Sequence, residues 1–155
     1  MKIAVGSDER THLTDAVVEE LHRRGHQADL FGPLAGHPLQ WANVAHQVSQ
    51  QVAAGESHQG ILFCWTGTGV SIAANKVPGV RAALCRDAET ARGARLWNDA
   101  NVLCLSLRST AEAEAKEILD AWLGATFDES ERPNVEKVEQ AHRQRFRSGT
   151  DRASR

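Results

Sequence analysis

The stretch that decides the fold reads Ile61-Leu62-Phe63-Cys64-Trp65-Thr66-Gly67-Thr68-Gly69-Val70-Ser71-Ile72-Ala73-Ala74-Asn75-Lys76. It predicts a buried strand that ends at Cys64, a glycine-rich turn, and a helix whose first backbone N–H groups face the thiol. A thiol beside such donors can move a proton next to a carbonyl and stabilise the oxyanion that forms. A buried cysteine that closes a core strand is as often only a small hydrophobic side chain, so this stretch alone leaves both interpretations open.

The same stretch excludes two common nucleotide-binding loops. A dinucleotide fingerprint requires a third glycine three residues after Gly69, where this chain has Ile72. A phosphate-binding P-loop requires Gly-Lys followed by Ser or Thr, whereas Lys76 stands between Asn75 and Val77.

Composition limits the class of protein further. A chain of 155 residues with net charge −2 and pI near 6.4 fits one domain without the positive field that attracts nucleic acid. Met1–Gly6 is typical of a first strand rather than a signal peptide, and no apolar run has membrane-spanning length. The three cysteines and seven histidines lack metal-ligand spacing. We therefore expect a reduced, cytoplasmic protein with no metal, no cofactor, and no nucleic-acid or membrane partner.

Apolar runs and amphipathic segments alternate along the chain. Strands are predicted at Lys2–Gly6, Gln27–Phe31, Gly60–Cys64, Val80–Leu84 and Asn101–Leu105. Helices are predicted at Leu13–Arg24, Trp41–Ala54, Val70–Asn75, Ala88–Leu96 and Ala111–Leu123. This order predicts a three-layer α/β/α Rossmann-like domain with a five-stranded parallel sheet.

Ligands of such sheets bind beyond the carboxyl ends of the strands. That rule leads us to expect Ser7-Asp8-Glu9, Cys64–Gly69 and the region before Asn101 at one rim.

The composition changes after Phe127. We predict a domain over residues 1–127, an arm over 128–147 that packs on a partner subunit, and a disordered tail over 148–155. The basic run at 143–147 is better explained as a solvated helix end than as a nucleic-acid patch, given the acidic total charge.

Several motifs, in order, resemble the ribose-5-phosphate isomerase B and galactose-6-phosphate isomerase family. The resemblance covers Met1 to about Phe127. It is carried by Gly6-Ser7-Asp8, Cys64-Trp65-Thr66-Gly67-Thr68-Gly69, Ser71-Ile72-Ala73-Ala74-Asn75-Lys76-Val77-Pro78-Gly79-Val80-Arg81-Ala82-Ala83, Asn98-Asp99-Ala100-Asn101-Val102-Leu103 and Ala121-Trp122-Leu123.

The resemblance implies metal-free aldose–ketose isomerisation of a phosphorylated sugar through a cis-enediolate. It implies that Cys64 shuttles the proton, that the Gly67–Gly69 loop donates amides, and that Thr66 assists near the ring oxygen. It also implies that Asp8 and Asn98 bind sugar hydroxyls, and that the protein is a dimer or tetramer whose sites are completed by a partner chain.

The chain departs from the family pattern at several site positions. Ser-Asp-His-Ala-Gly is replaced by Ser7-Asp8-Glu9-Arg10-Thr11, His-Asn-Asp by Trp97-Asn98-Asp99, and Asp-Tyr-Pro by Gln40-Trp41-Ala42. Trp65 replaces the glycine after the cysteine, and the tail motif Arg-His-x-x-Arg becomes Arg132-Pro133-Asn134-Val135-Glu136. The ring-opening histidine of the family is thereby lost, and Arg108 and Arg132 remain as phosphate-binding candidates.

We therefore predict catalysis by Cys64 and Thr66 in a pocket narrowed by indole rings. The predicted substrate-binding residues are Asp8, Glu9, Trp41, Trp65, Gly67, Thr68, Gly69, Ser71, Trp97, Asn98, Arg108 and Arg132. A terminally phosphorylated tetrose cannot close a ring, so an isomerase that lacks the ring-opening histidine could still use it as substrate. A pentose phosphate is the other candidate. Two alternatives stay open: a non-catalytic sugar- or metabolite-binding relative, and an isomerase of an unphosphorylated sugar.

Overall fold

The described residues form five strands and six α-helices, and the first five helices alternate with the strands in the order that the apolar pattern predicts. The computed structural model describes the backbone of residues 1–150 and the side chains of residues 1–141. The strands are β1 (Lys2–Ser7), β2 (Gln27–Phe31), β3 (Gln59–Cys64), β4 (Ala82–Leu84) and β5 (Val102–Ser106). The helices are α1 (His12–Arg23), α2 (Trp41–Ala53), α3 (Thr68–Ala74), α4 (Ala88–Asn98), α5 (Glu112–Gly124) and α6 (Arg132–Thr150).

The strands form one parallel sheet in the order β2-β1-β3-β5-β4, so the predicted fold class is confirmed. Helices cover both faces. Ile3, Ile61 and Leu103 point into the core beneath α1, α4 and α5, whereas Ala4, Leu62 and Cys104 point into the core beneath α2 and α3. Because both faces are covered, β3 is buried along its whole length, which explains the apolar run that follows Gln59.

Local side-chain bonds set the helix starts and one sheet edge. The Thr11 hydroxyl caps α1, and the Asp87 carboxylate caps α4 by accepting from the Thr90 N–H at 2.7 Å. At the free edge of β4, the Asn75 side chain donates to Ala82 O and accepts from Ala82 N–H, both at 2.9 Å. This pairing occupies the backbone groups that an additional strand would use.

The C-terminal arm begins against its own domain. Val135 of α6 is buried, and Glu139 forms an ion pair with Arg81 at 2.7 Å. α6 continues as a helix to Thr150, through the first three residues of the predicted tail, and residues 151–155 lie outside the described part. The side chains of the basic run at 143–147 also lie outside it. Packing of the arm on a partner stays a prediction.

None of the helices described here combines the length and apolar character that crossing a bilayer requires.

Candidate active site

The carboxyl ends of β1, β3 and β5 meet at one rim. Ser7 pairs in register with Phe63, and Cys64 pairs with Ser106. The chain leaves β1 toward β2 on one side, and β3 lies on the other, so the crevice between β1 and β3 is the topological switch point. Asp8 and Cys64 stand on the two sides of that crevice.

Cys64 is the last residue of β3 and is 6% exposed. Its side chain lies in the core cluster beneath α2 and α3, with Val44 and Val70 among its members. Its carbonyl oxygen accepts from the Leu107 N–H at 3.0 Å and from the Gly67 N–H at 3.2 Å. The backbone that carries the thiol is therefore fixed by one bond from the segment after β5 and one from the glycine loop.

The glycine loop turns the chain directly into α3. Gly67 has φ +74°, and a β-carbon there would come within 2.6 Å of Leu84 Cδ1, so both the turn and the space require glycine. The Gly67 N–H is already bonded to Cys64 O. The loop donors are therefore the amides of Thr68 and Gly69, which open α3 and have no acceptor within the helix.

The Thr66 and Thr68 hydroxyls are bonded to each other at 2.7 Å, and both residues are exposed at the rim. Ser71, one turn into α3, is half-buried. Burial raises the pKa of the Cys104 thiol in β5, and the Ser71 hydroxyl has a smaller, lowering effect on that pKa, which indicates that Ser71 faces Cys104. The structure therefore brings Thr66 and Thr68 close to Cys64 and directs Ser71 toward the core.

Asp8 presents a carboxylate oxygen with no hydrogen-bond partner among the described residues, although that Oδ1 atom is buried. Burial raises the pKa of Asp8, a backbone hydrogen bond lowers it, and the Glu9 carboxylate raises it further. The Ser7 hydroxyl fixes this turn by donating to Glu9 O at 2.6 Å and accepting from the Glu9 N–H at 3.2 Å. Such a free acceptor suits a sugar hydroxyl.

Asp8 also lines an open groove of about 690 Å³. The remaining lining residues are Pro33, Gly36, Pro38, Leu39, Gln40 and Asn43, all from the segment between β2 and the start of α2. Of this wall, only Gln40 belongs to a segment that the resemblance places at the site, because a loop of this composition carries no periodic signal.

Two of the three predicted tryptophans lie at this rim. Trp41 begins α2 and packs on Gly69, and Trp65 follows Cys64 with 63% of its surface exposed. The Trp65 carbonyl accepts from the Ser106 hydroxyl at 2.9 Å and from the Arg108 N–H at 3.1 Å. Arg108 is thus beside Trp65, and it forms no ion pair with any described side chain.

Trp97 and Asn98 do not lie at this rim, and the expectation that the region before Asn101 joins it is wrong for a single chain. They end α4, which runs back along the sheet after β4 and therefore ends beside the amino ends of the strands. At about 3.3 Å per residue, β5 alone separates the two ends by roughly 13 Å. The Trp97 ring folds over Gly93 and remains 55% exposed.

Arg132 lies at the same far end, where its charge is partly neutralised. It pairs with Glu129 at 2.7 Å, lies 3.8 Å from Asp99 Oδ2, and stacks 4.5 Å above the Phe127 ring. A phosphate that used Arg132 would have to compete with Glu129.

The other two cysteines are unsuited to proton transfer. Burial, with a smaller effect of Asp87, raises the pKa of Cys85 to about 12, and burial also raises the pKa of Cys104. Among the residues that the structure describes, no group of His, Cys, Asp and Glu could hold a metal ion.

Comparison with known proteins identifies the relatives of this chain. The sequence model of the Ribose/Galactose Isomerase family matches residues 3–140. D-Erythrulose-4-phosphate isomerase of Pectobacterium atrosepticum is 36% identical over 142 residues, covering 89% of this chain and 93% of that protein. Ribose-5-phosphate isomerase B of Escherichia coli is 41% identical over 128 residues, covering 82% and 86%. The structure of Clostridium thermocellum ribose-5-phosphate isomerase B superposes with a TM-score of 0.87 at 36% identity, covering 93% of this chain and 99% of that one.

Proposed function

The chain belongs to the Ribose/Galactose Isomerase family, and we propose that it interconverts an aldose phosphate and a ketose phosphate through a cis-enediolate with Cys64 as acid and base. The observation that carries this proposal is the position of Cys64. It closes the central strand at the switch point, between the free Asp8 oxygen and the first amides of α3.

In the proposed reaction, the Cys64 thiolate removes the proton from C2 of the aldose. The electron pair forms the C1–C2 double bond of the enediolate, and the negative charge moves to the carbonyl oxygen. The amides of Thr68 and Gly69 donate to that oxygen. Cys64 then returns the proton to C1, while a proton passes from the C2 hydroxyl to the C1 oxygen.

Asp8 binds a sugar hydroxyl in this proposal. Its Oδ1 atom is already desolvated and unpartnered among the described residues, so a hydroxyl donor restores the bond that folding removed. Thr66 lies beside Thr68 at the mouth of the site, where its hydroxyl reaches the substrate rather than the core.

A second copy of the chain completes the site in this proposal. Trp97, Asn98 and Arg132 lie at the amino ends of the strands, so they contact sugar bound at Cys64 only if they come from a partner. Trp97 and Val138 are exposed apolar side chains on that surface, 55% and 61% exposed. Light scattering at micromolar concentration is expected to give at least the dimer mass, and a monomer would contradict this arrangement.

We propose a four-carbon sugar phosphate as the preferred substrate. Trp97 replaces the ring-opening histidine of the family, and an indole N–H cannot give and take a proton near neutral pH. A tetrose 4-phosphate needs no ring opening. The names of two similar proteins, a D-erythrulose-4-phosphate isomerase and a ribose-5-phosphate isomerase B, support four and five carbons respectively.

Solvent-proton exchange at C2 tests the chemistry directly. Erythrose 4-phosphate and ribose 5-phosphate are incubated in heavy water with wild type, Cys64→Ala and the control Cys85→Ala, and deuterium incorporation is followed by NMR. Wild type and Cys85→Ala are expected to exchange, whereas Cys64→Ala loses about 100- to 10,000-fold. A Cys64→Ala protein that exchanges at the wild-type rate rules out the mechanism.

One observation favours an unphosphorylated sugar as the second candidate. Asp8 is the only charged residue among those that line the 690 Å³ groove, so the groove itself offers a phosphate no positive charge. Exchange with erythrose as fast as with erythrose 4-phosphate would select this alternative. Binding of either sugar without any exchange would instead select a non-catalytic role.

A further inference from the structure

We propose that Arg81 is a positioning residue that fixes Asn98 for its contact with the sugar. The inference rests on the proposed function, in which Asn98 of one chain binds substrate held at Cys64 of another. Arg81 touches no substrate in this scheme. It acts by holding the turn after α4 and the first half of α6 as one unit.

The Arg81 guanidinium connects the start of β4 with the turn after α4 and with α6. Arg81 directly precedes β4 and its side chain is 19% exposed. Nε donates to Asp99 O at 2.8 Å, Nη2 donates to Asp99 Oδ2 at 3.1 Å, and Nη1 donates to Glu139 Oε1 at 2.7 Å. The planar fork thus binds the turn through two atoms of Asp99 and binds α6 through Glu139.

The Arg81 backbone is anchored as well. Its N–H donates to Asn101 Oδ1 at 2.8 Å, and its carbonyl oxygen accepts from the Asn101 N–H at 3.0 Å. These two bonds join the residue before β4, Arg81, to the residue before β5, Asn101. The chain that leaves the turn is therefore held at the amino ends of both strands.

Asp99 is the residue that needs such support. Its φ of +46° is the only positive value outside glycine among the residues described, and L-residues adopt this conformation mainly where their surroundings hold it. Arg95 and Arg132 approach its carboxylate at 3.7 and 3.8 Å, so Arg81 makes the closest contact of the three. Because Asn98 immediately precedes Asp99, the direction of the Asn98 side chain depends on this turn.

Lysine cannot replace this arrangement. An ammonium keeps the charge but cannot reach the Asp99 carbonyl, the Asp99 carboxylate and Glu139 in one plane. Arg81→Lys therefore removes the geometry while changing the net charge of the site little, which makes it the informative substitution.

A double-mutant cycle on KM tests the inference. KM and kcat for erythrose 4-phosphate are measured for wild type, Arg81→Lys, Asn98→Ala and the double variant. The matched control is Arg92→Lys, because Arg92 is an exposed arginine of α4 whose ion pair is with the neighbouring Glu89. Each single site variant is expected to raise KM about tenfold with kcat little changed, as for a lost binding hydrogen bond. Adding Arg81→Lys to Asn98→Ala is expected to raise KM by less than about twofold, since coupled sites are not additive.

The outcomes separate the positioning role from mere stability. Full additivity of the two KM effects, or an Arg81→Lys protein with wild-type KM, overturns the inference. An Asn98→Ala protein with wild-type KM also overturns the inference. In that case the proposed reaction still stands, as long as Cys64→Ala abolishes exchange. If Arg81→Lys does not fold, Asp99→Asn replaces it in the cycle. That variant keeps the Nε bond to the carbonyl, and the same non-additivity with Asn98→Ala is expected.

Discussion

The indole ring of Trp41 lies directly over Gly69. A β-carbon at position 69 would stand 3.1 Å from Cε3 and 3.2 Å from Cζ3 of the ring, closer than ordinary carbon contacts. The Gly69 amide is one of the two donors proposed for the enediolate oxygen. The start of α2 therefore forms a wall beside the proposed reaction centre, and the size of residue 41 limits the space there.

Trp41→Ala is expected to widen the substrate range. Removing the indole opens space beside Gly69, so the ratio of kcat/KM for ribose 5-phosphate to that for erythrose 4-phosphate should rise about tenfold, roughly the value of one misfit contact in a pocket. Steady-state assays of both sugars measure the ratio. Trp122→Phe, which changes a tryptophan in the core far from the rim, serves as the control. An unchanged ratio in Trp41→Ala would contradict the claim that Trp41 limits the space beside Gly69.

Gln59→Leu is expected to destabilise the fold. Gln59 Oε1 accepts from the Trp122 indole N–H at 2.8 Å, and Trp122 is fully buried while Gln59 is 8% exposed. Leucine leaves the buried N–H unpaired, which costs about 1–3 kcal/mol. Urea unfolding measures the loss. Gln47→Leu on the exposed face of α2 should change stability by less than about 0.5 kcal/mol, and equal effects of the two substitutions would refute the argument.

Glu20 makes stability depend on acid pH. Hydrogen bonds from Arg23 and then from Arg24 lower the pKa of Glu20 from 4.5 to about 2. Since the folded-state pKa is depressed, the stabilisation is complete above about pH 4.5 and is lost as the pH falls toward 2. Unfolding free energies of wild type and Glu20→Gln should therefore converge as the solution is acidified. Curves that stay parallel over that range would contradict the assignment.

The three thiols should differ in reactivity in the folded protein. Burial raises the pKa of Cys85 to about 12 and raises that of Cys104, so neither forms thiolate near neutral pH. Iodoacetamide is expected to modify at most one thiol, Cys64, with loss of turnover in proportion. Mass spectrometry after digestion identifies the site, and Cys64→Ala should resist labelling. Modification of two thiols in protein that remains folded would count against this assignment.

The apolar runs and the periodicity between them were sufficient to predict the sheet and its helices. Each predicted strand and helix is present with ends within two residues, because burial on both faces of a parallel sheet leaves a direct mark on composition. The same pattern predicted that Cys64 lies at the carboxyl end of β3. It also predicted that Asp8 and Thr66 lie at the same rim.

Contacts between segments distant in sequence decided the rest. The Arg108 N–H bonds to Trp65 O, Arg81 pairs with Glu139, and the groove wall beside Asp8 comes from the loop before α2. Trp97 and Asn98 lie at the far end of the sheet because α4 must run back along it, so their place in a site depends on a second chain. Sequence patterns record burial and local conformation. Which donor is already used, which charge is already paired and which end of the sheet a helix reaches are determined only when the segments pack together.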